Sequence, residues 1–478
     1  MQEKEENQKE NKEMEKIVSL CKRRGFVFLS SEIYGGFASC YDFGPLGVQM
    51  KNNIKESWWV EMTQIQENVV GLDSAILMSP KVWQASGHLT AGFADELIEC
   101  KKCNRRFRYD QLEELTLKDI EEELEKEGTI NIPEVLKSQG NEFRKKWRKC
   151  ECGMIIKEGP RKFNLMMKTF VGPVEDEAAV TYLRAETCQG IYVNFNNILN
   201  TMRFKIPFGV AQIGKAFRNE ITLGNFIYRT REFEQMEMQW FCHPQEADKF
   251  FDYWKEHRMK WYLGLGIKKE NLRFKQVQKE ELAHYARKAV DIEYKFPFGW
   301  KEIEGIHNRG DWDLSNHSKH SGQDLKYEGY YPYIIETSAG ADRSFLTFLI
   351  DAFHEIKGGR TKTTKAVKEE EVVLKLDKKL APIKIAVLPL VKNKPELVKK
   401  AKEVYELLKT HFVCQYDEVG SIGRRYRRMD EVGAPLALTI DFESLEKEDL
   451  TIRDRDTMGQ ERVKIEDLTE VLKEKLEN

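Results

Sequence analysis

Apolar and polar positions follow different spacings in different parts of this chain. The opening run MQEKEENQKENKEME is charged almost throughout. Apolar positions return near Met14, and the pattern to Arg24 predicts a helix behind a frayed or disordered charged lead. Residues 35–47, GGFASCYDFGPLG, mix glycine, proline and aromatics, which predicts loop with short strands. A helix from about Val48 to Met62 follows, then a hydrophobic extended stretch ending at Pro80. The stretches MRFKIPFGVAQIGKAFRNE, REFEQMEMQWF, WKEIEGI and YPYIIETSAG combine alternation with aromatic content and predict an antiparallel sheet. Residues 243–287 read as helical and peripheral. SFLTFLIDAFHEI is apolar on nearly all sides, which predicts a buried helix. A polar linker, GGRTKTTKAVKEEEVV, comes next, and from Ala381 strands and helices alternate as in a separate small α/β domain. The expected fold class is α+β.

With 478 residues the chain is too long for one core. Composition shifts near Glu99, where charged segments (LKDIEEELEKEG, EFRKKWRK) bracketed by CKKC and CEC read as an inserted module. The expected units are 1–98, 99–160, 161–360, a linker 361–380, and 381–478. A net charge of −2 gives no sign of a polyanion partner, so any nucleic-acid surface must come from local clusters of Lys and Arg. Nine cysteines, an odd number in a long chain, do not make a disulfide framework. The N-terminus has no apolar signal region, and no apolar run reaches membrane-spanning length. A cytoplasmic, reducing setting without a membrane is expected, where close cysteine pairs suggest metal before disulfide. CKKC supplies Cys100 and Cys103 at zinc-knuckle spacing, and CEC supplies Cys150 and Cys152 at a tighter, less usual one. A structural Zn²⁺ on all four and unmetallated thiols both fit this pattern.

The candidate chemistry lies on two separated stretches. In a strand, FRNE puts Arg218 and Glu220 on one face, and REFEQMEMQWF does the same for Phe233, Gln235, Glu237 and Gln239. If they form a hairpin, one surface carries a guanidinium, carboxylates and a flat aromatic, which suits a nucleotide. A solvated sheet face is the alternative. In ETSAGADRSFL, Glu336 and Ser338 share a strand face, and small Gly340 and Ala341 admit close approach. Arg343 then opens the apolar helix, where a helix N-terminus favours phosphate. Taken alone, an arginine capping a buried helix explains that stretch as well.

The first stretch resembles motif 2 of class II aminoacyl-tRNA synthetases, with Arg229 and Phe233 in its R-x-x-x-F strand. The last resembles motif 3, with Asp342 and Arg343 opening a helix, and the helix after Gly47 with the extended segment to Pro80 looks like motif 1, the dimer-forming element. GGRTKTTK lacks phosphate-loop spacing. The strings YDFGPLG, SGH (Ser86 to His88), FNLMMKT, RAETCQG, FRNE…RTREFEQME and GIHNRGDWDL are similar to the glycyl-tRNA synthetase family across nearly the whole chain. Leu223, Cys188 and Thr337 depart from its usual residues.

The resemblance implies a class II antiparallel sheet flanked by helices, with motif 1 in 1–98, motifs 2 and 3 in 161–360, and an anticodon-binding domain in 381–478. It implies a homodimer that activates glycine with ATP and Mg²⁺ and loads it onto tRNA(Gly). The ATP residues implied are Arg218, Asn219, Glu220, Tyr228, Arg229, Thr230, Arg231, Glu232, Phe233, Glu302, Ile303, Gly340, Ala341, Asp342 and Arg343. Of these, Arg218 would clamp the α-phosphate and Arg343 the γ-phosphate, with Glu302 holding Mg²⁺. For glycine they are Arg108, Glu186, Phe233, Glu234, Gln235, Met236, Glu237, Arg309, Glu336, Thr337, Ser338, Ala339 and Gly340. Glu186, Glu237 and Glu336 would surround the ammonium, and Arg309 would balance them or bind the carboxylate. Glu304 shares a face with Glu302 and is given no role. RRYRR (Arg424 to Arg428 around Tyr426), with Arg453 and Arg455, offers cations and an aromatic to single-stranded bases. The alternatives are another class IIa synthetase, such as the threonyl, prolyl or histidyl type, and a non-catalytic nucleic-acid-binding subunit on the same fold.

Overall fold

The protein is described from a computed structural model covering residues 2–90, 93–221, 224–283, 285–358, 360 and 370–477, with side chains from residue 12 onward. Leu223 and the linker stretch 361–369 lie outside the described residues.

Helix α1 spans Gln2–Arg24, so the Lys/Glu run joins the helix rather than fraying from it. Lys and Glu are good helix formers, and backbone propensity carries the element past its apolar positions. Helix α2 covers Pro45–Val60 and begins ahead of the expected Val48, with Pro45 supplying the fixed φ of a first turn. Gly47 is required there: a Cβ would lie 1.8 Å from the carbonyl oxygen of Phe26.

The centre of the molecule is a seven-stranded sheet. In chain order its strands are β1 (Val69–Gly71), β2 (Phe208–Phe217), β3 (Glu232–Cys242), β4 (Leu272–Gln276), β5 (Lys288–Phe296), β6 (Gly299–Gly310) and β7 (Tyr333–Gly340). The spatial order is β4-β5-β6-β7-β3-β2-β1, antiparallel throughout except for β1, which runs parallel to β2. The expected extended stretch to Pro80 contributes only β1 to this sheet. Residues 243–287 are only partly helical: helix α3 (Ala247–Gly264) is followed by β4. Nor is α3 peripheral, since Trp254, Arg258, Trp261 and Tyr262 are buried against the sheet.

One face of the sheet carries Met236, Met238, Ile306 and Ala339 into the main hydrophobic core. Helix α4 (Ala341–Ala352) packs there with α2 and α3, burying Phe345, Leu346 and Leu349 completely. Each such side chain contributes roughly 1.5–3 kcal/mol, so the helix that starts at the site is anchored along its whole length. The opposite face packs a second apolar cluster at one end, with Val210, Phe241 and Ile334 against Tyr192 and Phe195, and the rest is left for chemistry.

A bulge in β6 decides which carboxylate faces where. Glu302 lies opposite Glu293 while Glu304 lies opposite Ile292, leaving Ile303 unpaired. An extra residue reverses the alternation. Glu304 therefore points to the helix side, where Arg258 of α3 binds it through Nε at 2.7 Å and Nη2 at 3.2 Å, and it does not share a face with Glu302.

The cysteine-bearing module is framed by a three-stranded sheet of Ala94–Glu99, Arg106–Arg108 and Arg161–Asn164, whose central strand begins before residue 99 and one of whose edge strands ends after 160. Its two helices, Leu117–Lys126 and Ile132–Lys146, bury Ile120 and Leu124 against Trp147. Beyond the core, the strand Glu370–Leu374 pairs with Phe353–Lys357, so the expected linker ends as a strand. The C-terminal sheet is parallel for its first three strands and antiparallel for the last two, with helices over Ile385, Val387, Leu436 and Leu438.

Candidate active site

The open face of the sheet presents two rungs of side chains. One runs Gln212, Glu237, Ser338, Gly305 and Asp291 across five strands, and its neighbour runs Val210, Gln239, Glu336, His307 and Ala289. Above them is a cavity of about 240 Å³. Gly305 keeps this floor low: a Cβ there would meet the His307 ring at 2.5 Å.

Arg218, Glu220, Tyr228, Arg229, Thr230, Phe233, Glu302, Gly340 and Arg343 line one end of the cavity. FRNE is not strand. β2 stops at Phe217, although Arg218 extends the hairpin by one bond from its N–H to the Arg231 carbonyl at 2.9 Å. The Arg218 Nε donates to the Ala185 carbonyl at 3.0 Å, and its guanidinium lies 5.4 Å from the Phe233 ring centroid. Glu220 turns toward Arg229, whose Nε and Nη2 donate to one carboxylate oxygen at 3.0 and 2.6 Å. Arg343, in the first turn of α4, sits 3.3 Å from the Glu302 carboxylate and 4.5 Å from the Tyr228 ring centroid. Burial works against ionising Glu302, but Arg343, then His307 and Arg218, hold its carboxyl below the usual range. Glu302 is a hard oxygen donor facing this cavity and fits a Mg²⁺ ligand.

Asp342 and Glu234 reach the cavity wall with their carboxylates already engaged. Lys51 of α2 lies 2.5 Å from Asp342 and 3.0 Å from Glu234, and Asp342 also accepts from the Glu234 N–H at 2.8 Å. This buried cluster ties α2 to the starts of both β3 and α4.

The other end is acidic. Glu237 is buried and accepts from the Thr187 N–H at 3.1 Å and hydroxyl, and from Gln235 and the Ser338 hydroxyl at 2.9 and 2.6 Å. No cation pairs with it among the described residues, and burial, with Glu336 and Glu186 nearby, pushes its carboxyl up to about 7. Glu336 is different: Arg309 at 3.0 Å and His307 at 3.1 Å overcome burial and hold it at about 2. Glu186 is buried too, yet His88 at 3.4 Å and the charge of Arg309 keep it well below the usual range. Arg309 also binds Asp313 through Nε at 2.7 Å and Nη2 at 3.0 Å. Two of the three carboxylates are thus balanced from behind, and Glu237 is the one left for an incoming cation.

Several expected residues lie off the cavity lining. Ile303, Met236, Ala339 and Ala341 are buried on the core side, and Thr337 is fully buried. Asn219 donates its N–H to Leu165, Arg231 donates to Ala38, and Glu232 pairs with Lys215. Arg108 pairs with Asp95 and Asp110. Arg309 stands behind Glu336. Conversely, His88, Tyr285, Gly305, His307 and Lys51 belong to the site or its support and were not picked out as site residues. His307 alternates with Gly305 and Arg309 along one strand, a signal that was available; Tyr285 sits in a loop with none.

Away from this cavity, the Sγ atoms of Cys100, Cys103, Cys150 and Cys152 all lie within 4.8 Å of one another. The Cys100–Cys152 and Cys103–Cys150 separations are 3.6 and 3.7 Å. Thiolates about 2.3 Å from a tetrahedral metal are about 3.8 Å apart, so the donor set fits Zn²⁺. In the C-terminal domain, RRYRR lies on helix α5 (Ile422–Val432), not in a loop. Arg425 is buried and donates to the Pro389 carbonyl, Arg428 pairs with Asp417 at 2.5 Å, and Arg453 pairs with Asp430 at 3.0 Å. Arg455 donates to the Gly433 carbonyl at 2.9 Å. Most of the expected base-contacting cations are structural, and Arg424 is the exposed one of that run.

Two family models match the chain: the tRNA synthetase class II core domain (G, H, P, S and T) over residues 173–353, and the anticodon binding domain over 384–475. A solved prolyl-tRNA synthetase from Cryptosporidium parvum, complexed with L-proline and AMP, shares the fold at 15% identity with a TM-score of 0.60, covering 96% of this chain and 77% of that one. The sheet, the helix-opening arginine and these matches define a class II aminoacyl-tRNA synthetase. Glycine–tRNA ligase of Clostridium acetobutylicum is 50% identical over 98% of this chain and 100% of its own length. The enzyme of Treponema denticola is 49% identical over 97% of each chain. The chain belongs to the glycine–tRNA ligase family.

Proposed function

We propose that this cavity joins glycine to ATP and passes the glycyl group to the 3′ end of tRNA(Gly). One observation carries the reading: two guanidinium groups at one end of a cavity whose other end holds a buried, cation-free carboxylate beside a glycine and a serine. The glycine carboxylate oxygen attacks the α-phosphorus, and the bond to the bridging oxygen of pyrophosphate breaks. A carboxylate needs no general base at neutral pH, so the protein contributes positioning and charge neutralisation. Arg218 binds the α-phosphate, and Phe233, under its guanidinium, stacks on the adenine. Arg343 binds the far phosphates, and Glu302, its partner at 3.3 Å, would hold Mg²⁺, which would supply further neutralisation of phosphate charge. Glu237 receives the ammonium, with Glu186 and Glu336 fixed around it.

The four-cysteine cluster holds a structural Zn²⁺, supported by its sulfur spacing. The C-terminal domain takes the anticodon of the tRNA. Exposed Ile33, Tyr34 and Phe37, shortly before α2 in the chain, and Val48 on α2 support a homodimer. All nine cysteines are free, as in a reducing, cytoplasmic setting, and no helix of the described residues is long and apolar enough to cross a membrane.

The test is charging of tRNA with labelled glycine, together with pyrophosphate exchange across a panel of amino acids. Glycine-dependent activity in both is expected. Exchange driven by another amino acid and not by glycine would overturn the reading.

A further inference from the structure

The polar groups at the acidic end can recognise an ammonium and a carboxylate, but alanine and serine carry the same two groups. Rejecting them must therefore be steric. The floor does not supply the barrier, because its central positions are Gly305 and Ser338, both small. The barrier has to come from across the cavity. There the loop between β4 and β5 brings in Tyr285, which lines the cavity together with Glu186, Glu237, Glu336 and Ser338. A wall that discriminates must not yield, and this ring is held from behind. The Arg309 guanidinium carbon lies 3.7 Å from its centroid. Arg309 is itself locked by Asp313 and Glu336, at 2.7 and 3.0 Å. Neither partner is a loop residue: Asp313 is in the first turn of the helix Trp312–Ser321 and Glu336 is in β7.

We propose that Tyr285 is a specificity-determining wall, closing the space above the α-carbon that any amino-acid side chain would have to enter. This rests on the glycine reading above. Arg309 then acts as a positioning residue with two jobs, balancing Glu336 and bracing the tyrosine ring.

The experiment is amino-acid-dependent pyrophosphate exchange on the full chain, comparing wild type, Tyr285→Phe and Tyr285→Ala with glycine, alanine and serine. Tyr285→Ala should raise the alanine-to-glycine ratio of kcat/KM by about tenfold or more, the usual worth of one methyl-sized exclusion. Tyr285→Phe keeps the ring and should keep the wild-type ratio. A Tyr285→Ala protein that uses both amino acids less well, with an unchanged ratio, has lost only structural support, and that result overturns the proposal. If Tyr285→Ala is folded but silent in exchange, binding of the glycyl and alanyl sulfamoyl-adenosine analogues decides. Discrimination equal to wild type would again overturn it. Failure of the wild type to exchange with glycine would instead remove the glycine reading and leave Tyr285 as the wall of some other pocket.

Discussion

Glu237→Gln should make the ligand-free protein more stable while removing its grip on glycine. Burial and the neighbouring carboxylates lift Glu237 from the usual 4.5 to about 7. Holding it ionised therefore costs the folded state about 3 kcal/mol. The folded carboxyl keeps its proton to higher pH than the unfolded one, so the fold binds the extra proton between about pH 4.5 and 7. Its contribution is intact below that window and is lost as pH rises through it. Glutamine is nearly isosteric and never ionises. Its carbonyl can keep the Thr187 N–H at 3.1 Å, and its NH₂ can face Ser338, whose hydroxyl turns to accept. Gln235 Oε1 has no partner among the described residues, so an amide flip offers a second acceptor. Melting followed against pH should show the variant above wild type at pH 8, by up to about 3 kcal/mol, and level with it at pH 4.5. Glycine loses a charged, desolvated acceptor worth about 2–4 kcal/mol, so its KM in pyrophosphate exchange should rise ~30- to 1,000-fold with KM for ATP little changed. A variant less stable than wild type at pH 8, or an unchanged glycine KM, would refute the reasoning.

Arg218→Ala should fold and melt like wild type, because among the described residues its side chain makes one backbone hydrogen bond and ring contacts, yet lower pyrophosphate exchange by about 100-fold or more. Near-normal exchange would exclude the phosphate role. Arg258→Met strands Glu304, both side chains being fully buried, and should destabilise by about 3–5 kcal/mol in denaturant titration. Adding Glu304→Leu should recover most of that loss, and failure to recover would mean the cost was packing rather than charge. Elemental analysis should find about one zinc per chain, and Cys103→Ser should abolish it while making residues 99–160 sensitive to protease. A metal-free, protease-resistant native protein would refute the zinc site.

Much of the site could be read along single strands. Phe233, Gln235 and Glu237 share a face because β3 is regular, and Glu336 and Ser338 share one because β7 is. Where the backbone departs from regularity, the same reasoning misplaces residues. Period two puts Glu302 and Glu304 together, but one unpaired residue at Ile303 sends them to opposite faces. The basic run at 424–428 looks like a nucleic-acid patch, yet on a helix packed against a sheet Arg425 must turn inward and satisfy carbonyls. Lys51 gave no signal, because its partners lie far away in sequence, on β3 and α4.

Local pattern by itself determined the strands β2, β3, β6 and β7 under the site, the all-round apolar helix that carries Arg343, and the paired cysteines. Those depend on periodicity and short-range chemistry, which a linear chain displays. Tertiary structure alone decided which carboxylates acquire cations. Glu336 and Glu186 are paired by Arg309, His307 and His88, while Glu237 has no such partner among the described residues, and that difference sets their protonation. Charge at a buried site depends on neighbours a few ångströms away in space, and those neighbours come from segments whose separation in the chain carries no trace of their contact.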